Sequence, residues 1–274
     1  NPAQLAWGLR KACLNLGARL HEHTPVTNLI EENNKIIAHT PRAKIHANKV
    51  ALATNAFPPL LKEIKNYVVP VYDYALMTEP LTPSQRDSIG WHGREGLSDG
   101  NNQFHYFRTT IDGRILWGGF DAVYHWNNGF GSRLENRPAS FALLAEHFFQ
   151  AFPTLEGIRF THAWGGAIDT CSRFNAFWGT AHAGRTAYVL GYTGLGVGAS
   201  RFGAQVMLDE GALRNVAHAA AFLAEQARRE EPIYGVSTGF GSNADKLLGA
   251  HPLRDELPGA VPSGRSLHAE LQRN

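Results

Sequence analysis

The chain has few cysteines, little net charge and no long apolar run. Its two cysteines, Cys13 and Cys171, lie far apart without a CxxC pair, which argues against a disulfide framework and against a cysteine zinc site. The formal charge is +2, and the basic residues form no run of the kind that binds nucleic acid. No apolar stretch reaches the roughly 18 residues that a membrane helix needs. We therefore expect a reduced, cytoplasmic protein with neither a nucleic-acid nor a membrane partner.

Metal-ligand spacing is also absent. His21 and His23 form an H-x-H pair, but a pair at a strand edge without a third ligand is more often a solvated turn. The remaining histidines show no ligand spacing. We expect no metal site.

The composition itself is that of a globular protein, with 43% hydrophobic and 18% charged residues. The chain opens at Asn1 and Pro2 without a methionine, and it stops inside an amphipathic helical pattern over residues 267–274. From these two ends we expect a segment of a longer protein.

Periodicity divides the chain into segments of two kinds. Helical spacing predicts helices over residues 3–16, 140–152 and 199–208. Alternating or continuous apolar runs predict extended chain at 18–20 and strands at 24–30, 35–39, 43–46, 49–54, 68–78, 103–109, 114–120, 157–167 and 187–191. The aromatic and β-branched runs after residue 67 indicate an antiparallel sheet.

A glycine-rich turn over residues 191–198 lies between a predicted strand and a predicted helix. Gly194, Gly196 and Ala199 fit the pattern G-x-G-x-x-A, which lets a dinucleotide approach the backbone at a helix N-terminus. A primary fingerprint would be followed about 20 residues later by a strand with an acidic, ribose-binding residue. The chain instead continues through Asp209 into another helix. The turn is therefore either a close-packing device or a second loop of a cofactor site.

The order of several short motifs suggests a family. The motifs are Asn1-Pro2, KVALATNA (49–56), VPV (69–71), TEP (78–80), DGRILWGG (112–119), WGG (164–166) and the glycine turn. In this order, residues 1–209 resemble the C-terminal portion of the D-amino-acid-oxidase-like family of FAD-dependent oxidoreductases. The resemblance implies an α/β (α+β) fold with a partial Rossmann-like FAD-binding domain over residues 1–66 and 165–212. It also implies an inserted antiparallel substrate domain over residues 67–164.

The resemblance also implies a cofactor, a reaction and a set of binding residues. The cofactor is FAD, and the reaction is the oxidation of a C–N bond in a small amine or amino acid to an imine. Val26 would meet the adenine, and Thr54 and Asn55 the pyrophosphate. The flavin-facing residues would be Gly191, Gly194, Leu195, Gly196 and Val197. Because the family's primary ADP-binding loop has no counterpart here, we expect the isolated chain to be inactive.

Substrate contacts are sought on the predicted antiparallel sheet. Tyr106 and Arg108 share one strand face, and an arginine there could clamp a carboxylate in bidentate geometry. Arg114 and Trp117 on the next strand are further candidates. The alternative is that both arginines are solvated cross-strand positions and Trp117 is core. No catalytic base is evident.

The C-terminal segment has a different character. Residues 215–274 resemble the N-terminal segment of the aromatic amino acid ammonia-lyases, including the histidine and phenylalanine enzymes, and we assign 213–274 to a lyase-like helical and loop fragment. Tyr234 matches the catalytic tyrosine of that family. The Ala-Ser-Gly triplet that forms its prosthetic group does not occur, so Tyr234 is expected to be orphaned. The alternatives to an oxidoreductase are thus a lyase fusion fragment or a non-catalytic binding module, and nothing indicates the oligomeric state.

Overall fold

The structure is a computed structural model that describes residues 2–208. The tail predicted to be lyase-like, with Tyr234, lies outside the described residues. The helices are α1 (Pro2–Asn15), α2 (Pro83–Ser88), α3 (Pro138–Ala151) and α4 (Gly196–Leu208). The strands are β1 (Asn28–Glu32), β2 (Lys35–His39), β3 (Lys44–Ala47), β4 (Val50–Leu52), β5 (Val69–Thr78), β6 (Gly96–Ser98), β7 (His105–Thr109), β8 (Ile115–Gly119), β9 (Val123–Tyr124), β10 (Phe160–Thr170), β11 (Phe177–Ala181) and β12 (Thr186–Leu190).

These strands form three sheets. β1, β2 and β3 follow one another as antiparallel neighbours. A second sheet has the order β10-β5-β8-β7-β6, with β9 beside β5. In the third sheet, β12 pairs antiparallel with β11 and parallel with β4. The fold is therefore mixed α/β with antiparallel sheets, as the sequence predicted.

The described residues divide into two compact units. Unit 1 contains residues 2–68 and 170–208, and unit 2 contains residues 69–169. The sequence placed these divisions after residues 66 and 164. The core of unit 1 includes Ile36, Leu52 and Leu190. Each unit thus has a core of its own, and the roles that the sequence assigned to the two parts stay predictions.

Successive side chains of β5 point to opposite faces of the unit 2 sheet. Tyr72, Tyr74 and Leu76 point to one face of the sheet and join the core. That core is closed by α3, which begins at a proline and buries residues at four-residue spacing, including Leu144 and Phe148. The alternate residues of β5 point away from α3. The face opposite α3 is therefore available for a site.

Some elements differ from the sequence prediction. The extended chain predicted at 18–20 belongs to no strand, and α4 begins at Gly196 rather than residue 199. The sequence reading missed α2, although Thr82 and Gln85 form a capping box at its start. It also missed β11, which forms a hairpin with β12. Within residues 2–208, no helix is long and apolar enough to cross a membrane.

Candidate functional site

One candidate site, in unit 1, is the edge of the sheet where β4 and β12 end. These strands are parallel, with Val50 beside Thr186 and Leu52 beside Tyr188. Residues after the carboxyl ends of parallel strands leave the sheet on the same side, where α/β proteins bind ligands. Thr54 and Asn55 follow β4, and the glycine turn follows β12. Within unit 1, the fold therefore brings these two predicted cofactor segments to one edge.

Backbone conformation explains the glycines of the turn. Gly191 and Gly194 have φ angles of 74° and 85°, which side chains disfavour. At Gly191 an added Cβ would also lie 2.9 Å from the Sγ atom of Cys171, whereas at Gly194 it would meet nothing within 4 Å. Gly191 is thus required by packing as well as by conformation. Gly194 leaves open space above the backbone, which suits close approach by a ligand.

Cys171 supports the turn from below. Its thiol is buried and lies 3.4 Å from the carbonyl oxygen of Gly191, and its backbone N–H donates to the Oγ1 atom of Thr193. Thr193 in turn donates to the Gly191 carbonyl at 3.1 Å. The turn is therefore fixed by contacts on its inner side, which leaves its outer side accessible.

The outer side of the turn carries the start of α4. Leu195 and Val197 are 58% and 59% exposed, respectively, and Gly196 is the first residue of the helix. The first amides of an α-helix have no partner within the helix, and the helix dipole gives this end partial positive charge. The backbone here fits an electron-rich or anionic group, which is the chemistry that a flavin or its phosphates present.

Val26 is distant in sequence from the two segments at this edge. It precedes β1 and packs, half-buried, against the unit 1 core cluster that contains Leu29 and Leu52. It therefore belongs to the same unit as Thr54 and the turn. Its predicted contact with adenine stays a prediction.

A separate candidate site is a cavity in unit 2. It has a volume of about 220 Å³ and lies on the sheet face opposite α3. Asp73 of β5, Tyr106 of β7 and Trp164 of β10 supply its functional side chains. Small residues, including Ala75 and Gly166, leave room between them. The cavity therefore joins one carboxylate with aromatic surfaces.

Asp73 and Tyr106 are joined by a direct hydrogen bond between their side chains. The hydroxyl of Tyr106 donates to Oδ2 of Asp73 at 2.8 Å, and the backbone N–H of Tyr74 donates to Oδ1 at 2.8 Å. Burial raises the pKa of the Asp73 carboxyl, and these two hydrogen bonds offset part of that rise. Burial and the neighbouring Asp73 charge raise the pKa of Tyr106. Tyr106 thus stays protonated at neutral pH and acts as a donor.

The other predicted substrate residues are in different surroundings. Arg108 is half-buried two residues after Tyr106 and so on the same strand face, but it does not line the cavity. Arg114 is tied to Asp112 at 2.7 Å and donates to Thr161 at 2.8 Å, so it links strands. Trp117 is buried in the core. The structure thus brings Tyr106 to a cavity and leaves Arg108 beside it.

The sequence reading missed Asp73 and Trp164. A signal for Asp73 was present, because it is the single charged residue in the otherwise apolar and aromatic strand VPVYDYALMT. Alternation places it opposite to Tyr72 and Tyr74, which are core. A charge in that position marks the face of the sheet that does not pack on the helix.

Two histidines that showed no ligand spacing come together on the core side of the sheet. Nδ1 of His105 lies 2.7 Å from Oδ2 of Asp99, and its Nε2 lies 3.0 Å from Nδ1 of His147. These are hydrogen-bond distances within an aromatic core. Among residues 2–208, no three His, Cys, Asp or Glu side chains converge to hold a metal.

Gly118 allows the Tyr106 ring to reach Asp73, and this is testable. It faces Tyr106 across β7 and β8, and an added Cβ would lie 2.7 Å from the hydroxyl end of the ring. We expect Gly118→Ala to displace the ring and break its bond to Asp73. Tyr106→Phe should then cost roughly 1 to 2 kcal/mol of stability in the native background and almost nothing in the Gly118→Ala background.

Urea denaturation of the native protein, the two single variants and the double variant measures the coupling between Gly118 and Tyr106. Gly166→Ala is the control, because its Cβ meets nothing within 4 Å and it should leave the cost of Tyr106→Phe unchanged. An equal cost in all three backgrounds would show that Gly118 does not position the ring.

Parallel strands that end in a glycine turn and a helix N-terminus are typical of α/β proteins that bind nucleotide cofactors. A family model described as FAD dependent oxidoreductase matches residues 1–210. The chain belongs to this FAD-dependent family, which confirms the predicted family and cofactor. A second model, described as aromatic amino acid lyase, matches residues 196–259. It covers a minor part of the chain and overlaps α4.

Individual relatives agree with this family. The chain is 27% identical over 218 residues to the probable oxidoreductase OrdL of Haemophilus influenzae, covering 76% of this chain and 46% of the relative. It is 28% identical over 204 residues to the gamma-glutamylputrescine oxidoreductase of Escherichia coli, covering 72% and 44%. Glycine oxidase from Geobacillus kaustophilus has a similar fold, with a TM-score of 0.61 at 19% identity, covering 75% of this chain and 52% of that one. The chain spans less than half the length of these two curated relatives.

Proposed function

We propose that this chain forms part of an FAD-dependent oxidoreductase that oxidises a C–N bond of a small amine or amino acid. The observation that carries the proposal is the shared edge of β4 and β12, where two predicted cofactor segments meet. The names of the relatives support the substrate class, since they include a glycine oxidase and a gamma-glutamylputrescine oxidoreductase. The product would be an imine, which water hydrolyses.

The cofactor would be held by backbone more than by side chains. Thr54 and Asn55 would lie at the pyrophosphate and Val26 at the adenine. The turn residues would face the flavin, namely Gly191, Gly194, Leu195, Gly196 and Val197. Bound FAD supplies the acceptor for the hydride that leaves the carbon next to nitrogen. The helix N-terminus at Gly196 would stabilise negative charge on the group beside it.

One part of the chain would bind the cofactor and the other the substrate. In the proposed assignment, residues 1–66 and 165–212 hold the cofactor and residues 67–164 bind the substrate. Tyr106 would position the substrate through its hydroxyl, which is already oriented by Asp73. Arg108 would be close enough along the strand to meet a substrate group outside the cavity.

The cofactor assignment is tested by placing a charge at the start of α4. An added Cβ at Gly196 would be 3.5 Å from the nearest atom, an ordinary contact with Tyr192, so the position tolerates a side chain. An aspartate in the first turn favours the helix but repels an electron-rich ligand. We expect Gly196→Asp to weaken FAD binding on the order of tenfold, and Gly196→Ala to change it by about twofold or less.

Both measurements use the chain joined to an N-terminal segment that supplies the primary ADP-binding loop, since the isolated chain is expected to be inactive. Quenching of FAD fluorescence on titration with this protein measures the affinity. Anaerobic loss of the yellow colour on adding amines or amino acids then tests the reaction itself. Equal FAD affinity in the native protein and both variants would contradict the placement of the flavin at this turn. Tight FAD binding without reduction by any amine or amino acid would contradict the proposed reaction.

A further inference from the structure

Asp73 is an ionisable group whose charge is not balanced within its own surroundings. Burial has the largest effect on the pKa of its carboxyl and raises it, and the negative charge of Asp121 raises it further. Hydrogen bonds from the Tyr106 hydroxyl and from the backbone amides of Tyr74 and Gly119 lower it. None of these effects comes from a positively charged side chain of the described residues. A carboxylate withdrawn from water is costly unless a cation or hydrogen bonds compensate it. Its hydrogen bonds supply part of the compensation, and a cation from outside would supply the rest.

The walls of the cavity suit such a cation. Trp164 is 40% exposed, and it lines the same cavity as Asp73 and Tyr106. Aromatic faces attract alkylammonium groups through the negative charge of their π-systems. The volume of about 220 Å³ is below the range of pockets for drug-sized ligands. Gly166 and Ala75 leave space for a slim chain but supply no further polar side chain.

We propose that the cavity of unit 2 binds the protonated amino group of an alkylamine, with Asp73 as the counter-ion and Tyr106 and Trp164 as its aromatic walls. This assignment rests on the proposed function and narrows its substrate class to cationic amines. An amino acid held by its carboxylate would be repelled by Asp73. Arg108, two residues beyond Tyr106, is where a carboxylate would bind instead.

Three probes of equal chain length test the charge preference. n-Butylammonium, n-butanol and butyrate are titrated against the purified chain, and binding is followed by ligand-observed NMR. We expect n-butylammonium to bind at least about tenfold more tightly than either of the others, and Asp73→Asn to abolish this preference. Trp164→Leu should weaken n-butylammonium binding by about two- to fivefold. Asp87→Asn, which neutralises an exposed carboxylate of the same unit, should leave binding unchanged.

Thermal unfolding separates loss of the site from loss of the fold. Because burial raises the pKa of Asp73, its ionised form costs folding free energy at neutral pH, and this cost falls as the pH drops towards the ordinary aspartate range. Asp73→Asn should therefore unfold at the same or a higher temperature than the native protein at neutral pH. A lower unfolding temperature would contradict the inference that this charge is only partly compensated.

The outcomes distinguish this proposal from the proposed function. Binding of butyrate or n-butanol as tight as that of n-butylammonium, or n-butylammonium binding that survives Asp73→Asn, would overturn the cation site even if amines reduce the flavin. Asp73-dependent binding of n-butylammonium supports the site even if no amine or amino acid reduces FAD, a result that would overturn only the proposed reaction.

Discussion

Ile115→Ala should lower the stability of unit 2 by about 2 to 5 kcal/mol. Ile115 is 0% exposed in β8, within the core that α3 closes, and its backbone N–H donates to the buried hydroxyl of Thr78. Removing its outer carbons would leave a cavity that the surrounding aromatic side chains fill poorly. Urea denaturation followed by the fluorescence of the buried Trp91 and Trp117 measures the loss.

The same hairpin offers a matched control. Ile111 lies in the turn that leads into β8 and is 90% exposed. Ile111→Ala removes the same atoms, yet it should change stability by less than about 0.5 kcal/mol. Equal losses for the two variants would mean that Ile115 is not in a packed core.

Gly191→Ala should have the second largest effect, in unit 1. The positive φ angle of 74° costs a side chain about 1 to 2 kcal/mol. The new Cβ would also lie 2.9 Å from Cys171 and from the ring of Phe177, which adds about 1 to 3 kcal/mol of overpacking. We expect a total loss of roughly 2 to 5 kcal/mol in urea denaturation.

Gly194→Ala separates the conformational part of this loss from the packing part. Gly194 has a similar φ angle of 85°, but an added Cβ there meets nothing within 4 Å. It should therefore show only the conformational cost of about 1 to 2 kcal/mol. If Gly194→Ala is as damaging as Gly191→Ala, Cys171 and Phe177 do not support the turn.

Strongly periodic segments made much of this fold predictable. β2 has the bounds predicted from its apolar run. The buried residues of α3 recur every four positions, and its bounds lie within one or two residues of the prediction. β11 was missed because it is a short segment whose residues are mostly half-buried, so it shows little alternation. The six-residue α2 is too short for a period, although its capping box was readable.

The two candidate sites were predictable only where a motif or the family resemblance marked them. A local pattern marked the glycine turn, and the family resemblance implied the role of Thr54. Their shared edge depends on the parallel pairing of β4 with β12, which no local pattern encodes. The cavity depends on Asp73 and Tyr106 meeting across β5, β8 and β7. Contacts of this kind follow from strand order.

The two faces of the unit 2 sheet have different freedom to change. Tyr72 and Tyr74 pack in the core on one face, whereas Asp73 between them faces the cavity, where it accepts hydrogen bonds from Tyr106 and from the backbone of Tyr74. A substitution at Asp73 would alter ligand preference with little loss of core packing. In a lineage of such proteins, new substrates could therefore arise by single changes on this face while selection preserves the other, and the same positions are where a directed library would be placed.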